Sequence, residues 1–300
     1  MNISGFTFIR NGFALQYPFL ESIQSILPVC TEFVVAVGDS NDGTREAILN
    51  LHSPKIKIID TVWDDSLRKG GKILALQTNI ALDAITGDWA FYIQGDEVVH
   101  ERDLPTIVKA AERYDKDPGV DGLLFSWFHF FGSYDHIAKP HSRGVYPYEV
   151  RMIRNNKLVR SFRDAQGFRK YSSREEMNLG RIPQKLQAKK VDAHIYHYGK
   201  VRGPGAELER AKSFHRLWHD DDWIEQYAGE KKEFDYTCKF PLVRFEGTHP
   251  AVMKQRVEAL NSEFIPDPHH IRIPLHYKIM NSLEAMTGWR PFEFRNYTVI

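Results

Sequence analysis

Apolar runs alternate with amphipathic stretches over the first hundred residues of this chain. Four runs have the length and apolar content of buried strands, over residues 3–9, 32–37, 55–59 and 89–93. Apolar residues recur at three- and four-residue steps from Ile73 to Ala84, which predicts a helix over 73–85 that Gly87 ends. Another helix is predicted over 44–51, capped by Asn41 or Asp42. This βαβαβαβ order predicts a mostly parallel sheet flanked by helices.

The pattern changes at Gly119. Strands are predicted over 120–131 and 186–198, and a hairpin over 149–162 that turns at Asn155-Asn156. Beyond Gly205 the chain becomes helical and aromatic, with predicted helices over 206–219, 224–227, 252–262 and 275–286. The sequence therefore predicts an α/β half over 1–118, a β-rich half over 119–204 and a helical C-terminal extension over 205–300.

Composition narrows the classes of partner. The 300 residues carry 40 basic and 39 acidic side chains, a formal charge of +1, so no global field attracts nucleic acid. Cys30 and Cys238 have no paired spacing, which argues against a zinc knuckle or a disulfide-stapled domain and favours a reducing cytoplasm. Apolar runs fall short of the about 20 residues that span a bilayer, so any membrane contact is expected to be peripheral.

Polar loops follow the predicted strands, where ligands of parallel sheets bind. Asp96 and Glu97 come directly after the fourth strand. Such carboxylates suit Mg²⁺ or Mn²⁺, which would neutralise a diphosphate, or else they cap the helix that follows. In the loop after the second strand, Asp39 and Asp42 could bind a base or ribose, or form an ordinary turn and helix cap.

Four motifs together resemble the GT-A-fold glycosyltransferases of family 2. They are Phe8-Ile9-Arg10-Asn11-Gly12, the segment 37–44, Asn79 eight residues before Gly87, and the segment 91–97. The resemblance implies a nucleotide-sugar donor, with UDP as the first expectation, a hydroxyl acceptor on a glycan or lipid-linked molecule, a divalent metal and inversion at the anomeric carbon. It assigns nucleotide binding to the first half and acceptor binding to the second, and suggests a hexosyltransferase of surface-polysaccharide assembly. The site residues it implies are, for the nucleotide, Phe8, Arg10, Asn11, Gly38, Asp39, Lys72 and Gln94, and for the metal, Asp96 and Glu97.

The chain departs from the family pattern at three points. Gln94 replaces the first acid of the Asp-x-Asp metal motif, so the metal needs another ligand. The second loop is one residue shorter than usual, which leaves Gly38 and Asp39 as rival equivalents of its first acid. Thr78 replaces the arginine that commonly precedes the helix asparagine, so diphosphate contact could pass to a nearby cation: Arg68, Lys69 or Lys72.

The additional metal ligand is sought in the segment His194 to Gly199. His194 and His197 point to opposite faces of a strand, and His197 is preferred because it adjoins a predicted loop that carries Lys200 and Arg202, candidates for the diphosphate. A histidine bonded to backbone and two surface cations are the alternatives.

An inverting transfer also needs a base for the acceptor hydroxyl. Asp164 is the candidate, because it follows the predicted hairpin in aromatic, glycine-containing surroundings; a salt bridge to Arg163 or Arg169 is the alternative. Weaker candidates are Glu149, Glu175 and Glu176. Two other features are interpreted as structure: the acids in 218–223 as a helix start, and the aromatics Trp127, Phe128, Phe130 and Phe131 mainly as core.

The sequence leaves two other functions open. A sugar-phosphate nucleotidyltransferase also uses an α/β sheet and a metal, but it needs a glycine-rich basic loop that the segment 10–13 does not supply. A non-catalytic glycan-binding protein would need the aromatic surface but not acids at two strand ends.

Overall fold

The computed structural model of the protein describes residues 1–260 and 264–300. The side chains of Arg68 and Lys69 lie outside the described residues, as does the end of the helix predicted over 252–262.

The first part of the chain builds the parallel half of one sheet. Strands β1 to β4 run parallel in the order β3-β2-β1-β4, which confirms the predicted βαβαβαβ arrangement. Gly43 precedes the second helix in the left-handed conformation, and the Asp42 carboxylate accepts from the Thr44 amide (3.1 Å). The elements are β1 (Ile3–Ile9), α1 (Phe19–Ile26), β2 (Glu32–Gly38), α2 (Thr44–Leu49), β3 (Ile56–Thr61), α3 (Lys72–Asp83), β4 (Trp89–Tyr92), β5 (Glu97–Val99) and α4 (Leu104–Tyr114).

The rest of the chain extends this sheet to the order β3-β2-β1-β4-β8-β6-β11-β10-β9. The predicted strands 120–131 and 186–198 are confirmed as β6 and β11, and the last predicted helix as α9. The elements are β6 (Gly122–Phe131), β7 (His136–Ala138), β8 (Tyr148–Arg154), β9 (Val159–Phe162), β10 (Gly167–Lys170), α5 (Arg174–Asn178), β11 (Gln184–Lys200), α6 (Pro204–His215), α7 (Asp221–Ala228), β12 (Leu242–Arg244), α8 (Lys254–Ala259), α9 (Leu275–Thr287) and β13 (Tyr297–Val299).

The predicted hairpin over 149–162 is wrong in its pairing. The chain does turn after Arg154, but β8 lies between β4 and β6 and is antiparallel to both. A strand has two edges, and both edges of β8 are occupied, so β9 pairs instead with β10. The hairpin that forms turns through residues 163–166, which places Asp164 at its tip.

Strand β11 connects the two halves at the end of β4. Its middle runs parallel to β6 and antiparallel to β5, so that His197 lies opposite both His129 and Glu97. The Tyr198 amide also donates to the Asp96 carbonyl (2.8 Å). This pairing brings a late segment of the chain against the loop that follows β4.

Two groups of side chains interpreted as structure behave as expected. Trp127, Phe130 and Phe131 are buried, whereas Phe128 is half-buried. The Asp220 carboxylate caps α7 by accepting from the Trp223 amide (2.9 Å), as a helix start requires. No helix in the described parts of the chain is long and apolar enough to cross a membrane.

Candidate active site

The loops after β1 and β2 meet at the carboxyl edge of the sheet. The Arg10 guanidinium pairs with the Asp39 carboxylate (3.0 Å) and lies 5.0 Å from the centre of the Trp63 ring. Trp63 also approaches Phe8, at 5.9 Å between ring centres, and a Cβ added to Gly38 would lie 2.6 Å from its indole nitrogen. That nitrogen is buried and has no hydrogen-bond partner among the side chains and backbone that the structure describes. The arrangement forms an aromatic, partly charged cluster at the ends of β1 and β2.

The remaining polar side chains of the second loop hold the first loop in place. The Asn11 amide donates to the Ser40 hydroxyl (2.9 Å), and the Ala14 amide donates to the Asp42 carboxylate (2.9 Å). Burial raises the pKa of Asp42, but the hydrogen bonds from Ala14 and Thr44 outweigh it and lower that pKa. The Asp42 carboxylate is therefore occupied by hydrogen bonds within the two loops. Asn11 contacts Ser40 through its backbone amide. Lys72 is exposed at the start of α3.

Gln94 links the end of β4 to the turn that carries Asp164. Its amide nitrogen donates to the Tyr92 hydroxyl (3.3 Å) and to the Ala165 carbonyl (3.2 Å). The Gln94 amide nitrogen is thus engaged by the protein itself. Where the family places an acid, this chain has an amide that fixes the distance between two loops.

Asp96 and His197 lie side by side at the same edge. The Asp96 Oδ2 and His197 Nε2 atoms are 3.3 Å apart. Burial raises the pKa of Asp96, but His197, followed by Arg202 and Arg210, lowers it to about 2. The carboxylate is therefore ionised throughout the range in which enzymes work. His194 lies elsewhere, with its ring stacked on Phe128 at 4.4 Å.

His129 sets the proton positions on His197. Its Nε2 lies 2.7 Å from the Tyr146 carbonyl, which can only accept, so this nitrogen carries the proton. Burial, followed by the adjacent His197, lowers the pKa of His129 to about 3, so the ring is neutral and its Nδ1 accepts. The His197 Nδ1, 3.1 Å away, must then donate. When His197 is neutral, the lone pair of its Nε2 therefore points towards the Asp96 carboxylate. A proton or a cation is then needed between the Nε2 and Oδ2 atoms.

Gly199 keeps the space beside these two atoms open. A Cβ added to this residue would lie 2.6 Å from His197 Nε2 and 2.7 Å from Asp96 Oδ2. Any larger side chain would occupy the space that a ligand of both atoms needs. The described residues contain no group of three or more His, Cys, Asp or Glu side chains able to hold a metal. A cation here would therefore have two protein ligands.

Glu97 lies apart from the pair of Asp96 and His197, and the sequence-based assignment of this residue to the metal requires correction. Its side chain is fully buried and makes a bidentate ion pair with Arg151, at 2.7 and 2.8 Å. One of its oxygens also accepts from the Gln94 amide (3.1 Å). Asp96 lies in the turn before β5, whereas Glu97 is the first residue of that strand and its oxygens are already occupied.

Three cations surround one buried carboxylate next to Asp96. Glu207, on α6, is fully buried and accepts from Arg202 and from Arg210, the latter at 2.7 Å, with the Lys200 ammonium 4.0 Å away. Two nitrogens of the buried Arg202 guanidinium, Nε and Nη2, have no hydrogen-bond partner within the described parts of the chain. Burial lowers the pKa of Lys200 to about 8. With Asp96 included, three cations face two carboxylates, which leaves one positive charge in excess.

Asp164 stands at the tip of a strained turn. Its neighbours Arg163 and Ala165 both adopt the left-handed conformation, with φ of 57° and 61°. Non-glycine residues in this region each cost about 1–3 kcal/mol and cluster at functional sites. Burial raises the pKa of Asp164, since its hydrogen bonds and the Arg163 charge only partly oppose it. Arg163, one of the two salt-bridge partners offered as the alternative, acts on Asp164 through its charge, which lowers the pKa without overcoming the effect of burial.

The turn is enclosed by residues from three distant parts of the chain. Asp164 raises the pKa of Tyr146, after the larger effect of burial, so the two side chains lie near each other. A Cβ added to Gly71 would lie 2.9 Å from the Asp164 Cβ and 3.1 Å from the Trp218 ring. Trp218 follows α6, whose end is tied to Gly71 by a hydrogen bond from the Gly71 amide to the Leu217 carbonyl (3.1 Å). The helical extension thus borders the site.

The other carboxylates considered as bases lie in different surroundings. Glu149 is buried; burial raises its pKa to about 7, although Arg151 and a hydrogen bond from Asn296 oppose the shift. Glu175 and Glu176 are exposed on the short helix α5.

Several residues of the site were not predicted from the sequence. His129 had a detectable signal, because it lies near the end of the predicted strand 120–131, but its partner is 68 residues away. Glu207 and Arg210 are three residues apart on α6 and resemble an ordinary exposed helix pair. Trp63 and Tyr146 are single aromatic residues in loops, which no local pattern distinguishes.

Comparison with known proteins gives one family match and several distant structural similarities. The sequence model described as "Glycosyl transferase family 2" matches residues 18–175. No curated protein sequence matches significantly.

Solved structures similar to this one include S. aureus TarS residues 1–349 with UDP, at 14% identity and a TM-score of 0.38, covering 77% of this chain and 70% of that chain. The longer S. aureus TarS structure is 14% identical with a TM-score of 0.38, and the match covers 71% of this chain but only 39% of that chain. Mycobacterium tuberculosis glucosyl-3-phosphoglycerate synthase, with Mn²⁺, UDP and phosphoglyceric acid, is 18% identical with a TM-score of 0.29, covering 43% of each chain. Similarity at this level assigns no ligand to the present chain.

Proposed function

Starting from the fact that the chain belongs to glycosyl transferase family 2 and is a glycosyltransferase, we propose that it transfers a sugar from a UDP-sugar to a hydroxyl group of a glycan or lipid-linked acceptor. The observation that carries the proposal is the pair Asp96 and His197, 3.3 Å apart beside a cluster of cations. A nucleoside diphosphate needs both features, because its oxygens bind a divalent cation and its remaining charge needs positive side chains.

The residues present fit a divalent metal, Mn²⁺ or Mg²⁺. Adjacent ligands of an octahedral ion with 2.1 Å bonds lie about 3 Å apart, close to the separation of the Asp96 and His197 atoms. The open space beside Gly199 and the lone pair that His129 orients on His197 support the same assignment. Such ions usually retain positions for phosphate oxygens and water, so two protein ligands suffice. When bound, the metal would stabilise the negative charge that develops on the departing diphosphate.

The cations beside Asp96 would bind the diphosphate. Arg202 and Lys200 were candidates from the sequence, and Arg210 joins them because Glu207 holds all three together. The unpartnered Nε and Nη2 atoms of Arg202 are two donors that a phosphate oxygen would satisfy. Lys72, exposed at the start of α3, is the more distant candidate.

The aromatic cluster at the ends of β1 and β2 would bind the nucleoside. Phe8 and Trp63 offer ring faces, and Asp39 offers a carboxylate for ribose or base hydroxyl and amide groups. Gly38 lets the chain approach the Trp63 ring, and the Asn11 backbone is fixed by Ser40. Gln94 would act by positioning the Asp164 turn rather than by contacting ribose.

Asp164 would accept the proton of the acceptor hydroxyl. Its raised pKa strengthens it as a base, and its strained turn holds it in one direction. Attack by the acceptor oxygen on the anomeric carbon, opposite the leaving diphosphate, gives inversion. The same proposal includes a role in surface-polysaccharide assembly and a cytoplasmic location, which suits two cysteines that are free thiols. It also includes the division of the chain into a nucleotide-binding half, an acceptor-binding half and a helical extension, with boundaries at residues 118 and 204.

Calorimetric titration tests this assignment. UDP is titrated into the protein with and without Mn²⁺, and then into Asp96→Asn and Gly199→Ala. We expect Mn²⁺ to tighten UDP binding in the unaltered protein and to lose that effect in both variants. In Gly199→Ala the added Cβ must displace His197 and Asp96, so a lower melting temperature is also expected there. Equal tightening by Mn²⁺ in all three proteins would exclude the proposed metal site.

A further inference from the structure

Helix α9 carries a stripe of exposed apolar side chains. Leu275, Ile279 and Met286 are 72%, 61% and 84% exposed. At about 100° of rotation per residue these positions lie within roughly 40° of one another around the helix. The opposite side of the helix, at Tyr277 and Met280, is half-buried against the protein. The helix therefore packs on one face and presents an apolar stripe on the other.

Exposed apolar residues continue along the sequence past the end of the helix. Gly288 ends α9 in the left-handed conformation, and Trp289 and Phe292 follow with 61% and 88% exposure. Five large apolar side chains thus lie exposed over eighteen residues. Exposed apolar groups in this density mark a surface that contacts another apolar phase. Tryptophan at its end is typical of the boundary between lipid and water.

Exposed charge on the segment that carries the stripe is positive, although the exposed Asp235 lies near Arg272. Arg272 and Lys278 are exposed, and no acidic side chain is exposed in the described residues 264–300. The acids of the segment are turned inwards: Glu284 accepts from Arg290 (2.8 Å), and Glu293 pairs with Arg290 and with Arg295. An anionic surface would therefore meet two exposed cations at the stripe, with Asp235 as a nearby exposed carboxylate.

The segment is tied to a loop of the candidate site. The Arg143 guanidinium donates to the Pro291 carbonyl (2.7 Å), and the Arg290 guanidinium donates to the His141 carbonyl (2.6 Å). The same loop continues to Tyr146, whose carbonyl accepts from His129. The segment that carries the stripe is thus hydrogen-bonded to the loop that leads to Tyr146.

We propose that the face formed by Leu275, Ile279, Met286, Trp289 and Phe292 docks on an anionic lipid bilayer. The five side chains enter the boundary between headgroups and acyl chains, and Arg272 and Lys278 contact the lipid phosphates. Binding is peripheral and reversible, because the stripe follows one face of a short helix. This inference stands on exposure and charge and does not depend on the proposed sugar transfer.

Sedimentation with vesicles tests the proposal. The protein is mixed with vesicles of phosphatidylcholine alone or with about one third phosphatidylglycerol, and the bound fraction is measured against lipid concentration. We expect binding to the mixed vesicles that weakens when salt is raised, and much weaker binding to neutral vesicles. Equal sedimentation without vesicles would instead indicate self-association and overturn the proposal.

Two variants separate the apolar and charged contributions. Ile279→Ser/Trp289→Ser should weaken vesicle binding at least tenfold, because two interfacial side chains are lost. Arg272→Gln/Lys278→Gln should weaken binding roughly 25-fold, since each such cation contributes a factor of about five near an anionic surface.

Ile182→Ser is the matched control, because Ile182 is 87% exposed but lies in a loop before β11, outside the face. It should bind vesicles as the parent does. All changes are at exposed positions, so unchanged melting and unchanged UDP affinity are expected throughout. Vesicle binding equal to that of the parent in both double variants would overturn the proposal, whatever the outcome of the UDP titrations. A larger oligomer in the parent that both variants dissolve would assign the face to a second copy of the chain and would also overturn it.

Discussion

The buried pair of Glu97 and Arg151 makes a direct test of the role of Glu97. The two side chains are 0% and 1% exposed and are joined by two hydrogen bonds of 2.7 and 2.8 Å. The guanidinium also lies 4.7 Å from the Trp127 ring centre. In Glu97→Gln the side chain keeps its size but loses its charge, so Arg151 loses its bidentate carboxylate and keeps only the buried Glu149 as a nearby acid.

The expected loss of stability follows from that burial. Removing one partner of a buried ion pair costs about 3–5 kcal/mol, because the other charge stays desolvated. This is a large share of the about 5–15 kcal/mol by which folded domains are stable. At a urea m-value of about 3 kcal/mol per molar, the unfolding midpoint should fall by about 1–1.7 M. Glu97→Gln/Arg151→Met should recover most of the loss, since no unpaired charge remains.

Urea unfolding followed by circular dichroism measures these midpoints. The control is Asp60→Asn, which breaks the exposed bidentate pair of Arg45 and Asp60 (2.7 and 2.9 Å) and should leave the midpoint unchanged. The reasoning is refuted if Glu97→Gln unfolds at the parent midpoint with an unchanged m-value. If that stable variant also lost Mn²⁺-dependent UDP binding, the assignment of Glu97 as a metal ligand would be restored.

Three further outcomes test the site. Asp164→Asn should lower kcat by about 10²–10⁴-fold with UDP affinity unchanged by calorimetry; parental turnover would remove Asp164 as the base. Because only the ionised carboxylate accepts a proton and burial raises its pKa, kcat should rise with pH through a value above the usual range of aspartate and then level off. A rate independent of pH down to that usual range would contradict this assignment. His129→Phe removes the acceptor that orients His197 and should weaken Mn²⁺ binding, measured by electron paramagnetic resonance with UDP, by about 10–100-fold; an unchanged Mn²⁺ affinity would show that His129 does not orient the ligand.

Local pattern was sufficient for the parallel half of the fold. Each βα unit carries its own apolar spacing and turn residues, so β1 to β4 and α3 could be predicted within a few residues. The parallel orientation of these strands also followed, since such units form parallel sheets, and it put Asp96 and the loop of Asp39 at one edge, whereas the strand order came from the structure. Asp96 was recognisable because an acid directly after a buried strand lies at the edge of the sheet where ligands bind.

Contacts between distant segments decided the rest. Glu97 and Asp96 are neighbours in sequence, yet Arg151, 54 residues from Glu97, provides the buried charge that separates their roles. His129 and His197 meet only because β6 and β11 run side by side in one register. Residue spacing shows which face of a strand or helix a side chain occupies, but not which other segment covers that face. The partner of a charged side chain, and therefore its role, depends on the tertiary structure.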